Sequence, residues 1–320
     1  MLVTSVTVRV PAKINLQLAV GPLRPDGYHG LVTVFHAVSL FDEVTVAVAE
    51  ADSVAVTGEG AEVVPANGDN LGLRAVRALR DAVAKRAGAA WNGAGGVGGA
   101  VGVGGVAVMI AKRIPVAGGM AGGSADAAAA LVACNELWGT GLSQQELCAV
   151  AGGVGSDVAF AVLGGTAIGR GRGEQLTAAP IAPATYHWVL AFADGHLSTP
   201  TVFRALDRQR RGQEVAEPEL SAELMGALGA GNPVKLGAAL SNDLQEPALR
   251  LFPALRKTLD VGLEAGALGA LVSGSGPTCL FLARDEAHAT DLAASLWGAG
   301  VCRAVAPVTG PAAGACAISR

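Results

Sequence analysis

Over the first fifty residues apolar and polar positions alternate, with Val6, Val8 and Val10 on one side of an extended segment. A period of two marks half-buried strands, and it predicts them over residues 6–10, 14–20, 31–40 and 44–48, divided by Gly, Pro and Asp turns. The period then lengthens. Leu73, Val76, Leu79 and Val83 recur at helical spacing behind Asp69, a natural N-cap, and Gly88 is placed to stop that helix. Residues 88–105 read as a glycine-rich, low-complexity surface loop leading into a strand over 106–111. A second glycine cluster, Gly118 to Gly123, opens into an alanine-rich helix, and Ser143 with Glu146 writes the Ser-x-x-Glu of a capping box.

Beyond Asp157 the pattern is mixed. A strand is predicted over 185–193, and Pro180 and Pro183 before it mark a domain boundary. Helices follow to about residue 265. The tail then reads strand 267–273, glycine turn, strand 278–283, helix 286–297, strand 301–305. That order fits an antiparallel sheet with helices on one face. The fold class is α+β in two domains, residues 1–183 with a mixed sheet and helices, and 184–320 with the antiparallel sheet.

Composition narrows the class of function. Half the chain is hydrophobic and 16% is charged, so it has the material for a core and not the profile of a disordered segment. A formal charge of −4 gives nucleic acid or an anionic membrane nothing to hold, which leaves a small-molecule ligand. Five widely spaced cysteines without a C-x-x-C pair suit reduced thiols in the cytoplasm, and the histidines show no ligand spacing, so no metal site is expected in the protein itself. The uncharged run 93–111 is long enough to span a membrane, but eight of its residues are glycine, which argues against a helix there. The amino terminus lacks the basic start and apolar run of a signal peptide.

The strongest chemical signal is Pro115-Val-Ala-Gly-Gly-Met-Ala-Gly-Gly-Ser124, where a strand feeds a glycine cluster that opens directly into a helix. Glycine lets backbone approach an anion, and a helix N-terminus offers unpaired N–H groups and the positive end of its dipole. Lys112 just before the cluster favours phosphate binding over a merely tight turn. A Walker A loop would need Gly-Lys-Ser/Thr at its end, and a Rossmann turn would need a G-x-G-x-x-G after the first strand; neither is present. A second signal is Lys13 in Pro11-Ala-Lys-Ile-Asn-Leu16, one of five lysines in a chain that otherwise uses arginine. Asp157 can be either a helix N-cap or a functional carboxylate, and the residues alone leave both open.

In combination the motifs resemble the GHMP kinases. The Pro-x-x-Gly-Gly-x-x-Gly-Gly-Ser-Ala stretch is similar to their phosphate loop, and Ser273-Gly-Ser-Gly-Pro-Thr278 to their third motif. Asp69-Asn-Leu71, Gly155-Ser-Asp-Val158 and Ser241-Asn-Asp-Leu244 fall in the family's order. Arg24-Pro-Asp-Gly-Tyr-His-Gly-Leu-Val-Thr-Val-Phe35 resembles the branch that phosphorylates a cytidine-diphosphate derivative of methylerythritol in the non-mevalonate route to isoprenoids.

The resemblance implies a cytoplasmic kinase that uses ATP and Mg²⁺ to phosphorylate the 2-hydroxyl of that substrate, with no nucleic acid, membrane or obligate protein partner. It implies Asp157 as catalytic carboxylate with Lys13 beside it. It assigns Lys112, Pro115, Gly118, Gly119, Met120, Ala121, Gly122, Gly123 and Ser124 to the ATP site. Asn15, Tyr28, His29, Phe35, Thr199 and Phe203 fall to the substrate, with the rings around the base. The amino-terminal domain then carries ATP and catalysis, and the carboxy-terminal one binds substrate. The alternatives are a mevalonate- or homoserine-type kinase, or a non-catalytic nucleotide-binding protein of the same fold. Two departures stand out: Ala159 replaces the usual proline, and Ala117 and Ala121 stand where many relatives have glycine.

Overall fold

The computed structural model describes residues 3–87 and 105–319, so the glycine-rich loop expected over 88–105 lies outside the described residues except for Gly105, which begins a strand. The chain runs β1 (Ser5–Leu23), β2 (His29–Ala49), β3 (Ser53–Gly58), α1 (Leu71–Ala87), β4 (Gly105–Lys112), α2 (Gly122–Trp138), α3 (Gln144–Val154) and α4 (Ser156–Leu163). It continues with β5 (Thr166–Arg170), β6 (Gln175–Ala178), β7 (Tyr186–Phe192), α5 (Thr199–Gln209), α6 (Ala222–Gly229), α7 (Pro233–Ala238) and β8 (Ser241–Asn242). The last elements are α8 (Gln245–Leu251), α9 (Ala254–Glu264), β9 (Gly269–Val272), β10 (Cys279–Ala283), α10 (Glu286–Gly298), β11 (Ala304–Gly310) and β12 (Cys316–Ser319).

The four strands expected in the first fifty residues are two long ones, β1 and β2, joined as an antiparallel hairpin. Proline lacks the N–H a ladder needs, so Pro11 reads as a break. The chain instead absorbs it in a register shift at Pro11/Ala12, with a second shift at Asn15/Gln17. Between the two shifts the strand is buried on both faces: Ala12, Ile14 and Leu16 face the main core, while Lys13, Asn15 and Gln17 face the other way and are also covered. The α1 cap is Asn70 rather than Asp69, because Asn70 Oδ1 accepts the Gly72 N–H at 2.8 Å. The α3 capping box of Ser143 and Glu146 is present.

One sheet runs β12-β1-β2-β4-β3, with β5 beside β2, β6 beside β5 and β8 beside β1. The other is antiparallel in the order β11-β7-β10-β9. The short strands β3, β5, β6, β8 and β12 give too few alternations to be read from sequence. The tail strand β12 pairs with β1, so the end of the chain returns to the first sheet. A large core joins β1, β2 and β4 with α1 to α4, and reaches Trp188, Leu190, Leu280 and Leu282 on one face of the second sheet. The opposite face, with Val189, Ala191, Cys279 and Phe281, packs a second core under α5, α8, α9 and α10. Among the described residues no helix is long and apolar enough to cross a membrane.

Candidate active site

Four segments converge: β1 at Lys13, the glycine loop entering α2, the 273–278 turn, and the first turn of α4. The Lys13 N–H donates to Met120 O at 3.3 Å, which ties the loop to the strand. Ser273 Oγ donates to Gly119 O at 3.1 Å and fixes the loop to the turn. Gly119, at φ 77°, has no room for a side chain, because a Cβ would lie 2.0 Å from Ser273 O. Gly274, at φ 56°, brings the turn against Lys13 and Asn15; a Cβ there would lie 3.3 Å from Asn15 Oδ1 and 3.5 Å from Lys13 Nζ. Asn242, at the end of β8, donates to Val272 O at 2.8 Å and Gly274 O at 2.7 Å, so it holds the same turn from behind.

The loop delivers an uncapped helix terminus. Ala121 is the α2 N-cap and makes no side-chain capping bond, which leaves the first-turn N–H groups of Gly122, Gly123 and Ser124 without an intrahelical partner. Both alanines of the loop, Ala117 at φ 53° and Ala121 at φ 57°, occupy the left-handed region, which L-residues enter at a cost. The backbone here keeps the conformation that glycine would adopt freely.

Lys13 Nζ donates to Asn15 Oδ1 at 2.8 Å and sits 3.9 Å from Asp157 Oδ2. Asn15 Nδ2 in turn donates to Thr33 Oγ1 at 2.8 Å, and Thr33 Oγ1 to Gln17 O at 2.7 Å, so a buried chain fixes the ammonium. Burial pulls the Lys13 pKa below its usual 10.5, and the nearby Asp157 charge opposes that shift. Asp157 is not the helix cap: Gly155 holds that position, and no side chain caps α4. Its carboxylate is 31% exposed and stands in the first turn, where a negative charge complements the helix dipole.

Lys112 does not join this group. Its side chain is 1% exposed, and Nζ donates to Asp42 at 2.6 Å and Asp126 at 2.7 Å, beneath the loop rather than at its mouth. Asp42 Oδ1 also accepts the N–H groups of Arg113 and Ile114. Burial opposes the Lys112 charge, but the two carboxylates outweigh it and the net shift is upward. Burial pushes the Asp126 carboxyl up to about 7, with Lys112 resisting and Asp42 adding to the rise.

The remaining expected residues divide. Phe35 is core: it is 3% exposed, pairs with the Phe160 ring at 5.0 Å and lies under Lys13 Nζ at 5.5 Å. It lies six positions beyond His29, about 20 Å along β2 at the usual rise, which places it beside Lys13 instead of beside that ring. Tyr28 is 54% exposed. His29 stacks on Phe203 with centroids 5.3 Å apart and bonds Asp207 Oδ1 through Nε2 at 2.8 Å. Thr199 Oγ1 and Ser275 Oγ are hydrogen-bonded at 2.8 Å, which joins the start of α5 to the 273–278 turn. Sequence reading missed Asp207 and the paired roles of Asp42 and Asp126, and gave Asn242 no role within its motif, because each acts across 14 to 178 positions of chain.

The comparisons with known proteins agree with this geometry. The family described as GHMP kinases N terminal domain matches residues 72–165, and GHMP kinases C terminal matches 224–300. The 4-diphosphocytidyl-2-C-methyl-D-erythritol kinase of Mycolicibacterium smegmatis is 52% identical, aligning over 97% of this chain and 92% of its own length. That of Thermobifida fusca is 52% identical over 98% of each chain. A crystal structure of 4-(cytidine 5'-diphospho)-2C-methyl-D-erythritol kinase superposes with a TM-score of 0.72 at 31% identity, covering 94% of this chain and 98% of the other.

Proposed function

The chain belongs to the GHMP kinases as an ATP-dependent small-molecule kinase, and from that premise we propose how its own residues carry out the reaction named for its 4-diphosphocytidyl-2-C-methyl-D-erythritol kinase relatives. The reaction transfers the γ-phosphoryl group of ATP to a hydroxyl of that substrate, the 2-hydroxyl in this reading. The observation that carries the site assignment is Asp157: an open carboxylate, free of capping duty, 3.9 Å from the buried ammonium of Lys13, whose backbone N–H bonds Met120 O in the glycine loop.

Asp157 accepts the proton of the substrate hydroxyl as its oxygen bonds to the γ-phosphorus and the bond to the β-phosphate oxygen breaks. Lys13 holds the carboxylate in place and offsets charge developing on the transferred group. At 3.9 Å the ammonium is within ion-pair reach of the Asp157 carboxylate. The first-turn N–H groups of Gly122, Gly123 and Ser124 suit the phosphates of ATP. Mg²⁺ would travel with those phosphates and neutralise part of their charge, and Ser124 is the residue of the 115–124 loop whose side chain could offer it an oxygen. Tyr28, His29 and Phe203 form the base pocket, and Lys112 supports the loop from below.

ADP release against a panel of purified acceptors tests this reading. Turnover of the cytidine-diphosphate alcohol, with mevalonate and homoserine inert, is expected. Turnover of either of the latter, with silence on the former, overturns the substrate assignment, and silence on all three favours a non-catalytic nucleotide-binding protein.

A further inference from the structure

Thr199, Phe203 and Asp207 lie four residues apart on α5 and so share one stripe of the helix. Eight residues at 1.5 Å each make that stripe about 12 Å long. Its first member bonds Ser275 in the turn beside Lys13, and its other two both meet His29. Phe203 lies against the face of the imidazole, and Asp207 takes its edge. The ring is 7% exposed, so both contacts act where water competes weakly.

We infer that Asp207 is a specificity-determining residue that fixes the proton of His29 on Nε2 and thereby makes Nδ1 an acceptor that selects cytosine over uracil. The inference rests on the reading of Tyr28, His29 and Phe203 as the base pocket. An ionised carboxylate only accepts hydrogen bonds, so at 2.8 Å it requires the proton on Nε2. In the neutral imidazole the other nitrogen then carries a lone pair. Cytosine presents an exocyclic amine, a donor, where uracil presents a carbonyl oxygen. With Nδ1 held as an acceptor, the amine is bonded and the carbonyl meets a lone pair, and a site built around such a bond rejects the analogue that cannot make it. Phe203 alone cannot make this choice, because stacking accepts either pyrimidine.

Asp207→Asn is the discriminating variant, since an amide can donate as well as accept and so lets the ring take either tautomer. The measurement is the ratio of kcat/KM for the cytidine and uridine forms of the substrate in wild type, Asp207→Asn and His29→Ala. The ¹⁵N shifts of His29 are read alongside in the whole, unliganded protein. Wild type should show the proton on Nε2 and prefer the cytidine form. Asp207→Asn should show mixed tautomers and lose about tenfold or more of that preference, with KM for ATP unchanged. An unchanged ratio in Asp207→Asn, while His29→Ala raises KM, overturns the role of Asp207 and leaves the base pocket standing. Unchanged KM in His29→Ala removes the pocket reading and the inference with it. If Asp207→Asn fails to fold, the wild-type spectrum still decides: a proton on Nδ1 refutes the inference.

Discussion

Two lysine–aspartate centres touch the glycine loop, one from beneath and one at its open side. Beneath, Lys112 donates to Asp42 and Asp126 at 2.6 and 2.7 Å, and the three side chains are 1%, 0% and 3% exposed. At the open side, Lys13 and Asp157 stand 3.9 Å apart, with the carboxylate 31% exposed. In the first centre Asp42 spends its remaining capacity on the N–H groups of Arg113 and Ile114, and so pins the chain where it enters the loop. In the second, Lys13 is held by Asn15, but Asp157 keeps lone pairs free. A closed centre of this kind holds backbone in place; an open one can take up a proton. Sequence shows a lysine in a strand in both cases, and only the placement of distant carboxylates tells them apart.

The comparison breaks most readily at Asp157. Asp157→Asn keeps the shape but cannot accept a proton, so kcat should fall on the order of 10²–10⁴-fold, with stability within about 0.5 kcal/mol of wild type. Near-normal turnover in steady-state kinetics would leave Asp157 without a chemical role. At the closed centre the expected loss is of stability. Lys112→Met strands two buried carboxylates, and removing one partner of such a group costs about 3–5 kcal/mol in denaturant unfolding. A Lys112→Met protein of normal stability that has lost only ATP affinity would return Lys112 to the phosphates.

Smaller effects sharpen the picture of the loop between the centres. Ala117→Gly and Ala121→Gly should each stabilise the fold by about 0.5–1 kcal/mol, as relief of the left-handed conformation outweighs the entropy that glycine adds to the unfolded chain. A loss of stability would mean that the alanine methyl groups pack to advantage. The closed centre should also give the fold a pH slope. The Asp126 carboxyl is raised from 3.8 to about 7, so between those values the folded state retains a proton that the unfolded chain has released. The stability it contributes is full below the lower value and fades as pH rises through the upper one. Asp126→Asn should remove that slope, gaining on wild type between roughly pH 4 and pH 7 in denaturant titrations. A parallel pH dependence in the two proteins would refute the assignment.

Much of the fold was legible because its signals are local. The helical stripe of Leu73 to Val83, the Ser143–Glu146 box and the glycine-to-alanine passage into α2 all lie within a few turns of chain. The break expected at Pro11 was misleading, since a register shift lets a proline sit inside a long strand. The site was legible through Lys13 and Asp157, whose pairing spans 144 positions and came from resemblance, not from spacing. Phe35 shows the opposite outcome. A ring close in sequence to Tyr28 and His29 suggested one pocket, but the rise of β2 carries it under Lys13 and into contact with Phe160. Asp207 was invisible because nothing in α5 distinguishes it from a solvated acid until His29 is placed against it.

The central claim is that the open centre carries phosphoryl transfer as a unit while the closed one does not, and a pair of double-mutant cycles on kcat tests it most directly. The first combines Lys13→Met with Asp157→Asn, and the second combines Asp126→Asn with Asp157→Asn. Residues that act together lose less in combination than the sum of their separate losses, by about 0.5–3 kcal/mol. The account predicts that deficit for Lys13 with Asp157, and losses that add within about 0.5 kcal/mol for Asp126 with Asp157. Additive losses in the first cycle, or strong coupling in the second, would contradict it.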